Sequence, residues 1–405
     1  MSMQATGDEI GRSVAVGDRL TLDIERIAHG GHFIAHAQGL TIFVRGAIKG
    51  ERVVAEVTQV KKKIAWAETI EVLTSSPHRR EAPCHYFRER ACGGCDFQHI
   101  DLAFQRVLKA EVVADSFRRI AQMEIEVECL PAHGEVSGLH WRTRMDFTVT
   151  PSKRLALHPH RSDSLTEITS CLIAHEAMDL ISINTSLERS KIRPWERFRV
   201  AVDSDSKVRL SGRDGTVEMK VEKKSFPISI ESFWQPHLSA ASTLVDQVME
   251  LLNVREGDHL LDLYGGVGLF TAFLRDAVGE TGKVTLIESD PDAIADAERI
   301  FSGDRRVKVS AGRVEQKIKE IENCDLILLD PPRSGVTVGP NGVIAEFQRL
   351  RPREILYISC DPATLARDAK ALVEAGYEMA LIRAFDLFPM TEHIESVAKF
   401  IRKGQ

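Results

Sequence analysis

Between residues 13 and about 73, apolar and polar positions alternate, as in Leu20-Thr21-Leu22-Asp23-Ile24 and Val53-Val54-Ala55-Glu56-Val57. A period of two turns one face of the chain inward and the other outward, the pattern of a half-buried strand. Glycines at Gly30-Gly31, Gly39 and Gly46 to Gly50 break the runs where turns are needed. The stretch predicts about five short strands closing into a small barrel of the OB type. Ser75-Ser76-Pro77-His78 reads as the turn that ends it.

The pattern then becomes mixed. Phe104, Val107, Leu108 and Val112 recur near helical spacing and predict a helix over Leu102 to Ile120. Strands are predicted around Met145 to Thr150 and Arg197 to Val202, followed by the polar turn Asp203-Ser204-Asp205-Ser206. From about residue 240, near-continuous apolar runs alternate with helical segments. The runs are His259 to Leu263, Lys283 to Glu288, Val307 to Ser310, Asp325 to Asp330 and Glu354 to Ser359; Pro291 to Phe301 and Ala363 to Ala375 read as helices. Such alternation predicts an α/β fold with a parallel, doubly wound, Rossmann-like sheet, whose ligands bind beyond the carboxyl ends of the strands. The chain thus divides into three units: residues 1–75, a small β-barrel; 76–235, a central α+β unit; and 236–405, the doubly wound unit.

Composition narrows the function classes. The 405 residues exceed what one core usually serves, and 43% hydrophobic with 28% charged residues excludes a disordered chain. A net charge of −6 excludes coating nucleic acid by bulk charge, so any basic surface is local. The start, with Asp8 and Glu9, lacks the basic and apolar segments of a signal peptide. No apolar run approaches the roughly 18 residues of a membrane span. A cytoplasmic, reducing location is therefore expected, where the seven cysteines are read as metal ligands or reactive thiols.

Chemistry concentrates after the strands. Asp262-Leu263-Tyr264-Gly265-Gly266-Val267-Gly268 makes a glycine turn into a helix, letting the backbone approach a ligand. Thr271 stands where a dinucleotide fingerprint needs a small residue, which disfavours a pyrophosphate. Glu288 ends the second strand at the spacing of about 20 residues expected for a ribose-binding carboxylate. Together these point to an adenosine ligand without a diphosphate, which S-adenosylmethionine satisfies. Asp330-Pro331-Pro332-Arg333 leaves the fourth strand with two prolines holding Asp330 at the same edge. After the fifth strand, Cys360 sits before a helix whose N-terminal partial charge is expected to lower its pKa. A partner base is sought among Glu392, His393 and Glu395, between which spacing does not choose. Cys84, Cys92 and Cys95, with Cys171 as a distant fourth, form a ligand set that suits zinc or an iron–sulfur cluster. Cys129 and Cys324 have no such company. Lys61-Lys62-Lys63 suits phosphate contacts or a solvated strand edge equally.

These residues carry a resemblance to the RNA uracil-5-methyltransferase family over nearly the whole chain. The matching motifs are Cys84-x7-Cys92-Gly93-Gly94-Cys95-x-x-Gln98-His99, Phe233-Trp234-Gln235, Asp262 to Gly268, Asp330-Pro331-Pro332-Arg333, Ser359 to Asp368 and Phe388-Pro389-x-Thr391-x-His393-x-Glu395. The stretch around Cys360 is the most diagnostic. The resemblance implies that the barrel is a TRAM RNA-binding domain and that Cys84, Cys92, Cys95 and Cys171 hold a [4Fe–4S] cluster. It implies S-adenosylmethionine contacts from Gln235, Tyr264, Gly266, Gly268, Glu288 and Asp330. It also makes Cys360 the nucleophile that adds to C6 of a uridine and Glu395 the base, a choice the bare sequence leaves open.

Three positions depart from the family pattern. Gly265 replaces a cysteine, a change expected to be neutral; Leu269 replaces an asparagine; Arg313 stands where some members place Asn or Asp near the adenine. Arg142 and Arg144 are candidate RNA contacts, with a solvated strand edge as the other reading. The combination of TRAM barrel and cluster resembles the enzymes of 23S rRNA. The expected partner is RNA, with no membrane and no protein partner, the chain acting as a monomer. The rival readings are a tRNA uridine methyltransferase and a non-catalytic RNA-binding iron–sulfur protein.

Overall fold

The computed structural model describes residues 14–404. Six strands build the N-terminal sheet: β1 (Arg19–Asp23), β2 (Arg26–Ile27), β3 (Phe33–Ala37), β4 (Leu40–Arg45), β5 (Arg52–Lys61) and β6 (Ile64–Thr74), ordered β1-β5-β6-β4-β3-β2. The sequence pattern predicts one strand fewer, because the two residues of β2 are too short to display a period. Register slips along β5 and β6 curl the sheet, since each bulge adds local twist. The inward positions Ile42, Val44, Val53, Ala55 and Ala65 are fully buried. Lys61, Lys62 and Lys63 form the exposed β5–β6 turn.

A buried carboxylate fastens the barrel to the central part of the chain. Glu51 Oε1 accepts from Arg79 Nε (2.6 Å) and Ser76 N (3.1 Å), and Oε2 accepts from Arg79 Nη2 (2.7 Å) and Ile48 N (2.8 Å). The turn predicted at Ser75 to His78 is thereby pinned back onto the barrel.

The central part begins with α1 (His85–Arg88) and α2 (Leu102–Ser116). Asp101 caps α2 by accepting from Phe104 N (2.8 Å), satisfying one of the free donors of the first turn. The predicted helix divides in two: after Ser116 the chain winds into a π-turn, Phe117–Ala121, and stops at Gln122 in the left-handed conformation. Next comes β7 (Cys129–Pro131), and then β8 (Arg144–Val149), β9 (Leu155–Leu157), β10 (Thr166–Glu167), α3 (Leu180–Glu188), β11 (Arg197–Val202) and β12 (Val208–Leu210). The last five strands form an antiparallel sheet, β10-β9-β8-β11-β12, over Phe147, Val149, Leu187, Phe198 and Val200. A hairpin of β13 (Thr216–Val221) and β14 (Lys224–Ser229) completes this part.

The C-terminal part runs α4 (Ala240–Leu251), β15 (His259–Leu263), α5 (Thr271–Ala277), β16 (Lys283–Glu288), α6 (Pro291–Ile300), β17 (Val307–Ala311), α7 (Val314–Lys317), β18 (Leu326–Leu329), α8 (Val343–Leu350), β19 (Glu354–Ser359), α9 (Pro362–Glu374), β20 (Tyr377–Asp386) and β21 (Glu395–Arg402). The five predicted strands are present and parallel. The sheet is larger than expected, with eight strands in the order β17-β16-β15-β18-β19-β21-β20-β7. β21 lies antiparallel between β19 and β20, and β7 joins β20 from far upstream. The polar positions Glu378, Arg383 and Lys399 hide β20 and β21 from a search for continuous apolar runs. α2 packs on α9 and β20, so a piece of the central sequence covers the face beneath the reactive edge. Among the described residues no helix is long and apolar enough to cross a membrane.

Replacing Arg79 by methionine leaves the Glu51 charge buried without its partner, which costs about 3 kcal/mol or more. Urea unfolding of Arg79→Met against the parent measures it; equal midpoints would show that the barrel does not depend on this pair.

Candidate active site

The turn after β15 is shaped by packing as much as by ligand approach. Asp262 points inward, where its Oδ2 accepts from Thr271 Oγ1 (2.6 Å) and N (3.1 Å) and so holds the start of α5. Tyr264 adopts the left-handed conformation (φ 60°), and its buried hydroxyl has no hydrogen-bond partner among the described residues. Burial and the nearby Glu315 carboxylate push the phenol up. Gly266 has φ 54° and nothing within 4 Å of a would-be Cβ, so its backbone faces open space. Its N–H donates to Glu288 Oε2 (2.9 Å), while Glu288 Oε1 accepts from Ser289 N (2.6 Å) and Asp290 N (2.8 Å). Glu288 is thus fixed by backbone donors at the end of β16, beside the turn. A Cβ on Gly268 would lie 2.3 Å from the Phe301 ring. At Gly265 it would lie 2.7 Å from Leu286 Cγ, so the change expected to be neutral is tied to Leu286 in this chain.

The other two departures differ in their surroundings. Leu269 is buried in the core, and Arg313 is exposed, 3.7 Å from Glu315. Gln235 is buried after Trp234, which packs on Phe226 (5.2 Å between rings).

The reactive edge lies where parallel and antiparallel strands meet. Ser359 on β19 pairs with Ser396 on β21. Cys360 follows the first and Glu395 precedes the second, so the antiparallel turn of the chain brings both to one sheet edge, together with Asp330 after β18. Arg333, in the loop opened by the two prolines, is the opposing positive charge. Asp361 caps α9 by accepting from Thr364 N (2.8 Å), and His29 from the barrel lies 3.4 Å from its Oδ2.

The electrostatics correct one expectation. A helix N-terminus by itself lowers a thiol pKa; here burial, with the charges of Glu395 and Asp330, instead pushes the Cys360 thiol up to about 12. A helix terminus is worth about 0.3–1 kcal/mol, too little against desolvation and two like charges. Burial and Asp330 drive the Glu395 carboxyl well above its ordinary range, and burial with Asp262 and Glu288 pushes Asp330 up to about 7. Glu395 Oε1 has no hydrogen-bond partner among the described residues. Glu392 and His393, by contrast, pair with each other at 3.1 Å. The edge is therefore rich in carboxyl groups, which burial and one another's charge hold above their ordinary range.

The four cysteines Cys84, Cys92, Cys95 and Cys171 line a single cavity of about 260 Å³ with Phe87 and Arg142. Burial raises the Cys92 and Cys95 thiols, and Cys171 adds to both shifts, so the sulfurs sense one another's charge. Cys92 Sγ accepts from Gly94 N (3.4 Å). A Cβ on Gly93 would lie 2.7 Å from His160 N, which explains the glycine. Among the described residues, no group of three or more His, Cys, Asp or Glu side chains converges on a single metal ion. Cys129 and Cys324 are buried elsewhere, each pushed up to about 12 by burial.

Arg142 and Arg144 do not stand on an open strand face. Arg142 lines the cysteine cavity and donates to Arg144 O (3.1 Å); Arg144 donates to Ser232 O and is shifted down to about 10 by desolvation and Arg199. Sequence reading missed His29 and Asp96, which touch the reactive segment only across long chain separations and carry no local signal.

Comparison with known proteins agrees with this arrangement. A model of the tRNA (uracil-5-)-methyltransferase family matches residues 305–403, a TRAM domain model matches residues 13–70, and a protein-L-isoaspartate O-methyltransferase model matches residues 214–316. An uncharacterised RNA methyltransferase of Streptomyces coelicolor is 37% identical over 95% of this chain and 93% of its own. One of Corynebacterium efficiens is 31% identical over 96% of each. In fold, the chain is similar to the Pyrococcus abyssi tRNA (uracil-54, C5)-methyltransferase crystallised with S-adenosyl-L-homocysteine, with TM-score 0.71, 22% identity, 94% of this chain and 100% of that one. With a full-length relative at this identity and a TRAM barrel joined to this reactive edge, the chain belongs to the RNA uracil-5-methyltransferase family, as an S-adenosylmethionine-dependent RNA methyltransferase.

Proposed function

We propose that this enzyme methylates C5 of a uridine in RNA through a covalent adduct on Cys360, with Glu395 as the base. The observation that carries the reading is the pairing of β19 with β21, which sets the thiol of this edge beside an unpartnered buried carboxyl. S-adenosylmethionine supplies an electrophilic methyl group, and its positive charge suits the acidic edge of Asp330 and Glu288, with Gln235, Tyr264, Gly266 and Gly268 lining its place. Uracil C5 is a weak nucleophile. Addition of the Cys360 sulfur to C6, as thiolate after its proton is lost to solvent, moves the C5–C6 electron pair toward C5 and O4. C5 then takes the methyl group as the methyl–sulfur bond of the donor breaks, its electron pair staying on that sulfur, which leaves as a neutral thioether. The adduct keeps its hydrogen on C5. Glu395 takes that proton, the electron pair re-forms the C5–C6 double bond, and the sulfur leaves as thiolate. A base inside RNA structure must be splayed out to reach this edge, and the TRAM barrel supports a role in holding the flanking nucleotides.

Ribosomal RNA is the substrate we favour, as in the family members that combine barrel and cysteine set. A tRNA uridine is the second reading, favoured by the names of the matching family model and of the archaeal structure. The chain is taken to work as a monomer in the cytoplasm. Its functional units are 1–75 for RNA, 76–235 for the cysteine site and RNA, and 236–405 for methyl transfer, the last completed by α2 and β7. Arg142, at the cysteine cavity, and Arg144, the first residue of β8, are the candidates for RNA contacts in the central part.

The four cysteines fit a [4Fe–4S] cluster. All four line one cavity, and four thiolates around one space are the ligand set such a cluster takes. The Gly94 N–H to Cys92 Sγ bond supports a thiolate there.

Cys360→Ala is expected to abolish 5-methyluridine formation, mapped across rRNA and tRNA of a deletion strain complemented with each variant. Glu395→Gln is expected to accumulate a covalent protein–RNA species on denaturing gels; methylation by Cys360→Ala at the parent rate would overturn the scheme. Anaerobically purified protein should be brown and hold about four iron atoms per chain, whereas a colourless zinc protein would refute the cluster.

A pH dependence is expected from Asp330. An unfolded Asp titrates near about 3.9, but the folded group is pushed up to about 7. The folded state therefore binds more protons, and the stability this contributes is complete below the unfolded value and lost as pH rises through the folded one. Asp330→Asn should gain in thermal midpoint over the parent between about pH 5 and about pH 8; a constant gap would refute the buried charge.

A further inference from the structure

Among the described residues Glu395 Oε1 has no hydrogen-bond partner, so the backbone that carries Glu395 sets its position. It is the first residue of β21, and the loop before it, residues 387–394, has no regular structure. Yet Leu387, Met390 and Ile394 are buried. The polar groups of this loop are satisfied by a distant part of the chain. Gln105 on α2, fully buried, accepts from Met390 N at Oε1 (2.9 Å), and its Nε2 donates to Phe97 O (3.1 Å) and Ile100 O (2.9 Å). Met390 O accepts twice, from Asp96 N and Phe97 N (both 2.9 Å). Asp96 Oδ2 accepts from Glu392 N (3.2 Å). One turn along α2, Lys109 Nζ pairs with buried Asp386 Oδ1 (2.5 Å) and donates to Phe388 O (3.1 Å).

Met390 itself is left-handed (φ 67°), a conformation a side chain keeps only when its surroundings impose it. A buried network of several hydrogen bonds on one loop rigidifies what it holds. From Asp386 to Glu392, the side-chain and backbone anchors of the loop on the central sequence come from α2, from the strap Asp96–Phe97 and from Arg80, whose Nη2 donates to Met390 Sδ (3.1 Å). That strap directly follows Cys95.

We infer that Gln105, with Lys109 and the Asp96–Phe97 strap, is a positioning residue for Glu395: it holds the Phe388–Glu392 backbone so that the carboxyl meets the C5 proton. The inference rests on the reading of Glu395 as the base. A displacement of about 1 Å at a reacting group can cost about 10²-fold in rate, so loosening the loop must slow proton removal and leave earlier steps largely intact.

Gln105→Met keeps the side-chain length and removes the side chain's four hydrogen bonds, the fourth being from Nε2 to Met390 Sδ (3.3 Å). In the full-length protein with its iron content checked, we expect S-adenosylmethionine affinity unchanged within about threefold. Formation of the covalent RNA adduct should also stay near the parent rate, and its breakdown should slow by about tenfold or more. Amide hydrogen exchange over residues 386–394 should quicken, with the Gly266 to Glu288 region unchanged. A uniform loss in binding, adduct formation and breakdown, or an unchanged exchange rate in the loop, would overturn the inference. If Gln105→Met does not fold, Gln105→Glu retains the acceptor for Met390 N and should show the same pattern more weakly. Glu395→Gln is the reference: an adduct there with normal breakdown in the Gln105 variants defeats the inference alone, and no adduct in Glu395→Gln defeats both.

Discussion

The pairing of Ser359 with Ser396 is the contact on which the rest of the molecule turns. Five parallel strands deliver their carboxyl ends to one edge, as βαβ winding requires. A sixth parallel strand would have added another carboxyl end. Because β21 instead runs antiparallel between β19 and β20, it offers its amino end to that edge. The sheet can therefore bring Glu395 from the last part of the chain next to Cys360, which a purely parallel sheet with the same residue order would hold at opposite edges.

That arrangement costs stability and supplies the chemistry. Asp330, Glu395 and Cys360 are three acids in one poorly hydrated place, where Asp330 raises the pKa of both others and Glu395 raises that of Cys360. The helix cap at Asp361 and the Arg333 guanidinium offset only part of the repulsion. A positive charge brought close to such an edge relieves the repulsion among its acids. Such conflict at one point, inside a fold whose other choices agree, is what a reactive site leaves behind.

The barrel and central region are joined to the same edge by short polar contacts. His29 stands 3.4 Å from Asp361, and a Cβ at Gly31 would lie 2.9 Å from Glu392 Cβ. Arg45 reaches from β4 to Asp96 (3.4 Å) beside the cysteine cavity. The barrel, the cysteine cavity and the edge of β19 and β21 are therefore neighbours, and barrel residues and residues of the C-terminal sheet share one apolar cluster.

The sequence by itself determined the local elements and the residue types of the site. Period-two alternation marked the barrel, continuous apolar runs marked β15, β16 and β19 to the residue, and glycine turns with carboxylates marked the ligand edge. The cysteine spacing named a ligand set, and family motifs named Glu395. What only the tertiary structure decided was placement across long separations. β20 and β21 carry charges among their apolar positions and so lack a run to detect; β7 is too short; and the attachment of α2 to the loop before Glu395 joins residues nearly three hundred positions apart. The Cys360 pKa went the same way. A helix N-terminus is legible from local sequence, but burial and the charges of Asp330 and Glu395 arise only when distant segments meet, and in a low-dielectric interior those outweigh the local dipole.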